Sequence, residues 1–93
     1  MLVFDLGQTV MTKGVAIAVN EDKEFRKFVQ ESFKKYCEAD WGDTCEEDKE
    51  LNDQALESGD RILAVYKKEG LETIWIITEW DRSATTILFP HEY

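Results

Sequence analysis

Three short segments rich in β-forming residues occupy the last third of this 93-residue chain. Residues 61–67, 73–79 and 84–89 are rich in Ile, Val, Tyr, Trp and Thr, and short polar links separate them. The first link contains Gly70, and Pro90 ends the third segment. This spacing predicts a three-stranded antiparallel meander.

Residues 20–38 have the periodicity of an amphipathic helix. Phe25, Phe28 and Val29 begin an apolar stripe at i, i+3 and i+4 spacing that continues to the end of the segment. Asn20 is expected to cap the N-terminus of this helix, because its side chain can accept a hydrogen bond from the first turn.

Two further elements complete the predicted order. Residues 8–12 suit a first strand, and the apolar run at residues 15–19 fits either an extension of that strand or a short turn of helix. A second helix is expected to begin after Asp43 or Thr44, either of which could cap it, and to end before Gly59. Its apolar side is thin, which predicts a position against the surface of the domain.

This order predicts an α+β fold in which two helices pack on one face of a small antiparallel sheet (β-α-α-β-β-β). A chain of this length is expected to form a single domain, residues 1–93, with one modest core. Apolar runs are far shorter than the ~20 residues needed to cross a bilayer. The N-terminal residues lack the basic region of a signal peptide. We therefore expect a soluble, intracellular protein.

The net charge of −9 is concentrated in one quarter of the chain. Between Glu38 and Asp60, ten acidic residues stand against Lys49 alone, whereas the other 70 residues carry ten acidic and ten basic side chains. Direct binding to nucleic acid is disfavoured, because it depends on neutralising phosphates with Lys and Arg. The charge favours a basic groove on a protein partner instead.

Four carboxylates of the predicted second helix fall on one stripe. Their spacing of i, i+4, i+7 and i+11 places successive members ~5–6 Å apart, so the stripe could imitate a nucleic-acid backbone and compete for an arginine-lined groove. The alternative is a solvated helix face that serves solubility. An exposed tryptophan in a neighbouring turn would be a natural interface anchor. The alternative is that either tryptophan covers the small core. The predicted partner-binding residues are Glu46, Glu47, Glu50, Asp53 and Glu57, with Trp41 or Trp80 as the anchor.

The two cysteines and the single histidine define a candidate metal site. Cys37 and Cys45 flank the turn between the predicted helices, and with His91 and Asp43 (or Asp40) they could form a tetrahedral site for structural zinc. The alternative is that Cys37 packs in the core and Cys45 is an inert thiol. A catalytic pair of Cys45 and His91 lacks an oxyanion-hole motif, and no phosphate-binding or hydrolase motif is present. We expect a protein that is not an enzyme.

Four segments of the chain carry a recognisable pattern: TKGV at residues 12–15, DWGDTCEEDKELND at 40–53, RILAVY at 61–66 and IWIITEWDRSATTILFP at 74–90. With these segments the whole chain resembles a family of small acidic proteins carried on plasmids, conjugative elements and phages of Firmicutes. Such elements carry clusters of anti-restriction and anti-CRISPR genes. The resemblance therefore implies a counter-defence protein in the cytoplasm of a bacterial host.

In size and charge the chain also resembles small inhibitors of type II CRISPR effector nucleases. This resemblance implies an inhibitor that binds the host nuclease, and the acidic surface predicts that it blocks the loading of target DNA. The chain could be a monomer, or a two-fold dimer through an exposed strand edge. One alternative is an anti-restriction DNA mimic. Another is an accessory or regulatory protein of a conjugative element with no defence target. The family assigns no catalytic residues.

Overall fold

A computed structural model describes residues 4–93, which form a four-stranded sheet with three α-helices. This arrangement confirms the α+β fold class. In chain order, the elements are β1 (Gln8–Met11), α1 (Lys13–Glu21), α2 (Lys23–Cys37), α3 (Glu46–Ser58), β2 (Ile62–Tyr66), β3 (Ile74–Thr78), β4 (Ala84–Leu88) and a 3₁₀ turn (Pro90–Glu92). Within residues 4–93, no helix is long and apolar enough to span a membrane.

The strand order is β1-β4-β3-β2, and the sheet is mixed. β2, β3 and β4 form the predicted antiparallel meander. β1 pairs parallel with β4, with Gln8 opposite Ala84 and Met11 opposite Ile87, so the sheet is not antiparallel throughout. The sequence could not give this direction, because apolar alternation along a strand is the same for parallel and antiparallel neighbours.

Gly7 sets the start of β1 against the start of β4. Its φ of +63° lies in the left-handed region, and a Cβ here would lie 2.3 Å from the carbonyl oxygen of Arg82. Glycine permits this approach, and the amide of Gln8 then donates to the carbonyl of Ser83 at 3.0 Å. β1 and β4 therefore leave the same end of the sheet and run in the same direction.

A helix boundary at Asp22 gives residues 4–93 three α-helices, whereas the sequence predicted two. The run at residues 15–19, for which the sequence left strand and helix open, lies within α1. The N-cap of α2 is Asp22 and not Asn20, since the Asp22 carboxylate accepts a hydrogen bond from the Phe25 amide at 3.2 Å.

The core lies between α2 and one face of the sheet. Phe28 and Tyr36 of α2 are buried, and Ile62, Ile74 and Ile76 of the adjacent strands are fully enclosed. Each such isoleucine contributes roughly 1.5–3 kcal/mol when it leaves water. The alternation of these residues therefore fixes which face of β2 and β3 the helices cover.

A chain of hydroxyl groups crosses this core. The Thr85 hydroxyl donates to the Leu6 carbonyl at 2.7 Å, so it accepts from Thr78 at 2.8 Å, and Thr78 in turn accepts from the Tyr36 hydroxyl at 2.6 Å. Burial raises the pKa of the Tyr36 phenol, which keeps its proton available for donation. These hydrogen-bonded hydroxyl groups connect α2 to β3, β4 and the N-terminal segment.

α3 and the turn before it close the outer edge of β2. The Asn52 side chain donates to the Leu63 carbonyl at 2.9 Å and accepts from the Leu63 amide at 3.3 Å. The Thr44 hydroxyl accepts from the Val65 amide at 2.8 Å, and the Asp43 amide donates to the Val65 carbonyl at 2.9 Å. These bonds occupy the outward-facing backbone groups of β2, so a further strand cannot add there.

Candidate protein-binding surface

The acidic residues of α3 lie on the outside of the molecule. The opposite side of the helix packs on β2 through Asn52 and Ala55, which are 4% and 2% exposed. The side chain of Glu46, by contrast, is 92% accessible. All five predicted carboxylates, Glu46, Glu47, Glu50, Asp53 and Glu57, are exposed, and so is Asp48 of the same helix.

A groove of about 490 Å³ runs between the N-terminal half of α3 and the turn that follows α2. We call it the acidic groove, since five carboxylates line it and one ammonium group opposes them. Lys49 lies 3.6 Å from Glu46, and a surface ion pair of this kind contributes only ~0–1 kcal/mol. The lining residues are Ala39, Asp40, Trp41, Glu46, Glu47, Lys49, Glu50 and Asp53.

The acidic groove joins two parts of the sequence that the predicted stripe did not connect. Asp40 lies outside α3, and the turn before the helix folds back to place it opposite Glu46 and Glu50. Glu57 lies on the same helix but beyond the groove. The surface is therefore broader at the N-terminal end of α3 than a single helical stripe.

Trp41 lines the acidic groove, but its side chain is buried in the core. It is 4% exposed, and its ring meets the Tyr36 ring edge-on with centroids 5.5 Å apart. Its indole N–H donates to the Asp53 carboxylate at 2.8 Å. Of the two candidate anchors, Trp41 is therefore the one that covers the small core, and it is not exposed. Asp53, although exposed, has a structural partner.

Trp80 is the exposed aromatic side chain of the predicted pair. It is 69% exposed and lies in the turn between β3 and β4. Arg82 of the same turn donates to the carbonyls of Ala55 at 2.9 Å and Asp60 at 2.8 Å, which holds the turn against the C-terminal end of α3. Sequence reasoning missed Arg82, because an arginine in a polar turn has no periodic signal to indicate its partner.

The candidate zinc ligands are not brought together. Among residues 4–93, no group of three or more His, Cys, Asp or Glu side chains is placed to hold a metal ion. His91 stacks on Phe89 with ring centroids 5.4 Å apart. The Asp43 carboxylate accepts a hydrogen bond from the backbone amide of Lys67, the residue that follows β2. Cys37 is half-buried, and this burial raises the pKa of its thiol.

Cys45 is exposed and occupies the N-cap position of α3, where its side chain makes no capping hydrogen bond within the described part of the chain. The predicted caps, Asp43 and Thr44, instead bond to β2 as described above. The Thr44 hydroxyl also donates to the Trp41 carbonyl at 2.5 Å, which closes the turn. The end of the helix agrees with the prediction, since Gly59 adopts a left-handed φ of 81°.

The site thus consists of an acidic helix fixed along one edge of the sheet, with an exposed tryptophan in the turn at its C-terminal end. Compared with protein-family models, curated proteins and solved structures, the chain matched none.

Proposed function

We propose that this chain is a counter-defence protein of a mobile genetic element. It acts in the cytoplasm of the bacterial host and inhibits a type II CRISPR effector nuclease. The protein binds the basic surface that target DNA must reach, and so blocks the loading of DNA. The observation that carries this proposal is the exposed acidic face of α3 together with the acidic groove. The family resemblance of residues 40–53 and 74–90 supplies the biological context.

The charge density of α3 supports competition with nucleic acid. From Glu46 to Glu57 the helix rises about 16 Å at ~1.5 Å per residue, so the four stripe carboxylates give one charge per ~5.5 Å. A single DNA strand carries one charge per ~3.4 Å along its axis. Glu47 and Asp40 add further negative charge on the groove side. A groove lined by Lys and Arg therefore meets a field of comparable strength, which also steers encounter.

Rigidity of the acidic face supports tight binding. The Asn52 side chain ties α3 to β2, and Arg82 ties the C-terminal end of α3 to the β3–β4 turn. The helix that carries the carboxylates is therefore in place before the partner arrives, and less backbone conformational entropy is lost on binding. Trp80 in the same turn offers a large apolar side chain of the kind that dominates interface energies.

The test is plasmid cleavage by a guide-loaded type II effector nuclease, with the protein added before or after target DNA. We expect inhibition only when the protein is added first. The triple variant Glu46→Lys, Glu50→Lys and Glu57→Lys should lose inhibition by at least ~100-fold, a loss expected when several charge pairs are reversed. Asp53 is left unchanged, because its carboxylate bonds to Trp41.

A matched control separates position from net charge. The variant Glu21→Lys, Glu69→Lys and Glu72→Lys makes the same change in net charge at exposed residues outside α3. It should inhibit like the wild type. Inhibition by the α3 variant equal to that of the control would reject the acidic-face mechanism. Absence of inhibition in any order of addition, across several such nucleases, would reject the nuclease assignment, and inhibition of a restriction enzyme alone would indicate the anti-restriction alternative.

A further inference from the structure

The two edges of the sheet differ in whether their outward backbone groups are hydrogen-bonded. The edge at β2 is closed by hydrogen bonds from Thr44, Asp43 and Asn52. Among residues 4–93, β4 is the one strand that pairs with β1, so the other side of β1 forms the second edge. Natural sheets usually protect such an edge with charge, proline or a bulge. The residues of β1, Gln8–Met11, include neither proline nor a charged side chain.

The backbone of β1 presents free groups along this edge. The amides of Gln8 and Thr12 donate towards β4, to Ser83 and Ile87 at 3.0 Å each. Because alternate residues of a strand point their backbone groups in opposite directions, those of Thr9 and Met11 point outward. Within residues 4–93 no strand pairs with them.

Exposed apolar side chains accompany this edge. Val10 and Met11 are 38% and 46% exposed. Ile17 is 47% exposed on α1, the helix that follows β1 and contacts it. Open backbone groups and apolar side chains therefore occur together in the neutral part of a chain whose net charge lies elsewhere.

We propose that the chain forms a two-fold symmetric dimer in which β1 pairs antiparallel with β1 of a second copy. The register centred on Val10 suits the edge best. It sets Thr9 opposite Met11 of the other copy in two equivalent positions, and each pair exchanges two backbone hydrogen bonds. The two Val10 side chains then meet on one face at the short distance of a non-hydrogen-bonded pair. The product is one continuous eight-stranded sheet.

The charge distribution favours the pairing of two copies at this edge. Asp5 precedes β1 and Lys13 follows it, so antiparallel pairing sets an acidic end against a basic end twice. The acidic helix α3 lies beside β2, at the opposite edge of each sheet. Seven strand spacings of ~4.8 Å separate the two β2 strands by about 34 Å. This distance exceeds the ~8 Å Debye length, so the two acidic faces do not oppose pairing.

The test is sedimentation of the full chain over a wide range of concentrations. We expect the mass to rise from 10.8 kDa towards twice that value. Val10→Lys should keep the protein monomeric, and Leu51→Lys is the matched control. Leu51 is 59% exposed on α3, so this control removes an exposed apolar side chain far from β1. Thr9→Pro removes an outward amide without touching a bond to β4, and it should also prevent dimerisation.

Amide hydrogen exchange of the wild type tests the same pairing without a substitution. In the wild type, protection of Thr9 and Met11 should increase with protein concentration. Protection of Leu63 and Val65 should not change, because those amides are already bonded within the chain. A monomer at every concentration, or a dimer that persists in Val10→Lys and Thr9→Pro, would overturn the proposal. Protection of Thr9 and Met11 that appears only when the nuclease is added would assign the edge to that partner instead.

Discussion

The indole N–H of Trp41 donates to the carboxylate of Asp53 at 2.8 Å, which joins the aromatic core to the acidic face of α3. One carboxylate of the predicted stripe therefore differs in role from its neighbours. Asp53 orients the helix on which Glu46 and Glu50 are displayed. The charges of Glu46 and Glu50 can therefore be reversed without loss of a structural bond, whereas the charge of Asp53 cannot.

Replacing Asp53 by Ala should lower the free energy of unfolding by about 1.5–3 kcal/mol, because a hydrogen bond to a charged acceptor is lost. Glu50→Ala on the same face should change it by less than ~0.5 kcal/mol, as is usual for an exposed side chain. Chemical denaturation of both variants measures the difference. Equal losses would show that the Trp41 bond contributes nothing to stability.

The two tryptophans of the predicted anchor pair should separate stability from binding. Trp41→Ala should cost ~3–5 kcal/mol of stability, because it empties a buried site in a small core. Trp80→Ala should leave stability within ~0.5 kcal/mol and weaken binding to the nuclease by at least tenfold, corresponding to ~1.4 kcal/mol. Thermal unfolding and a binding isotherm test the pair. A destabilised Trp80→Ala protein would contradict the exposed position of that residue.

Local patterns were sufficient for the meander and for α3. β2, β3 and β4 each lie within the predicted segments, and α3 ends at the predicted glycine. These elements depend on residue type, period and turn chemistry over a few positions. The direction of β1 was beyond such patterns, because it depends on the close approach of Gly7 to Arg82, 75 positions away in the chain.

The sequence was sufficient to predict the negative charge of the candidate site, but not which of its side chains are buried. Trp41 and Trp80 both lie in polar turns beside acidic residues, so their local sequences predict the same exposure. The structure separates them through long-range partners: Trp41 meets Tyr36 and Asp53, whereas the turn of Trp80 is held to α3 by Arg82. Asp40 joined the acidic groove for the same reason, since only the fold of its turn places it opposite α3.

The buried hydroxyl chain should show strong coupling between Tyr36 and Thr78. Thr78→Val leaves the Tyr36 hydroxyl without its acceptor in a buried site, at a cost of roughly 1–3 kcal/mol. Once Tyr36→Phe has removed that hydroxyl, the cost of Thr78→Val should be smaller. A double-mutant cycle by chemical denaturation measures the coupling. Thr86→Val, on the opposite face of the neighbouring strand, is the control. Additive losses of unfolding free energy in the Tyr36 and Thr78 variants would contradict the hydrogen-bonded series of hydroxyl groups.

Glu92 should make the fold sensitive to acid through the start of α1. Its carboxylate accepts hydrogen bonds from the Thr12 hydroxyl at 2.5 Å, the Gly14 amide at 3.0 Å and the Phe89 amide at 3.1 Å. These bonds lower the pKa of Glu92 below its usual value of 4.5, and the bond from Thr12 has the largest effect.

Because the folded state favours the charged carboxylate, its contribution to stability is present above the usual pKa of glutamate and is lost as pH falls through the lowered pKa of the folded state. Glu92→Gln should therefore be less stable than the wild type near neutral pH, and the difference should shrink in acid, where the wild-type carboxyl is protonated. Unfolding curves over this pH range measure the difference, with Glu72→Gln in the exposed β2–β3 loop as a control for lost charge. A gap between Glu92→Gln and the wild type that stays constant as pH falls would show that protonation of Glu92 is not coupled to folding.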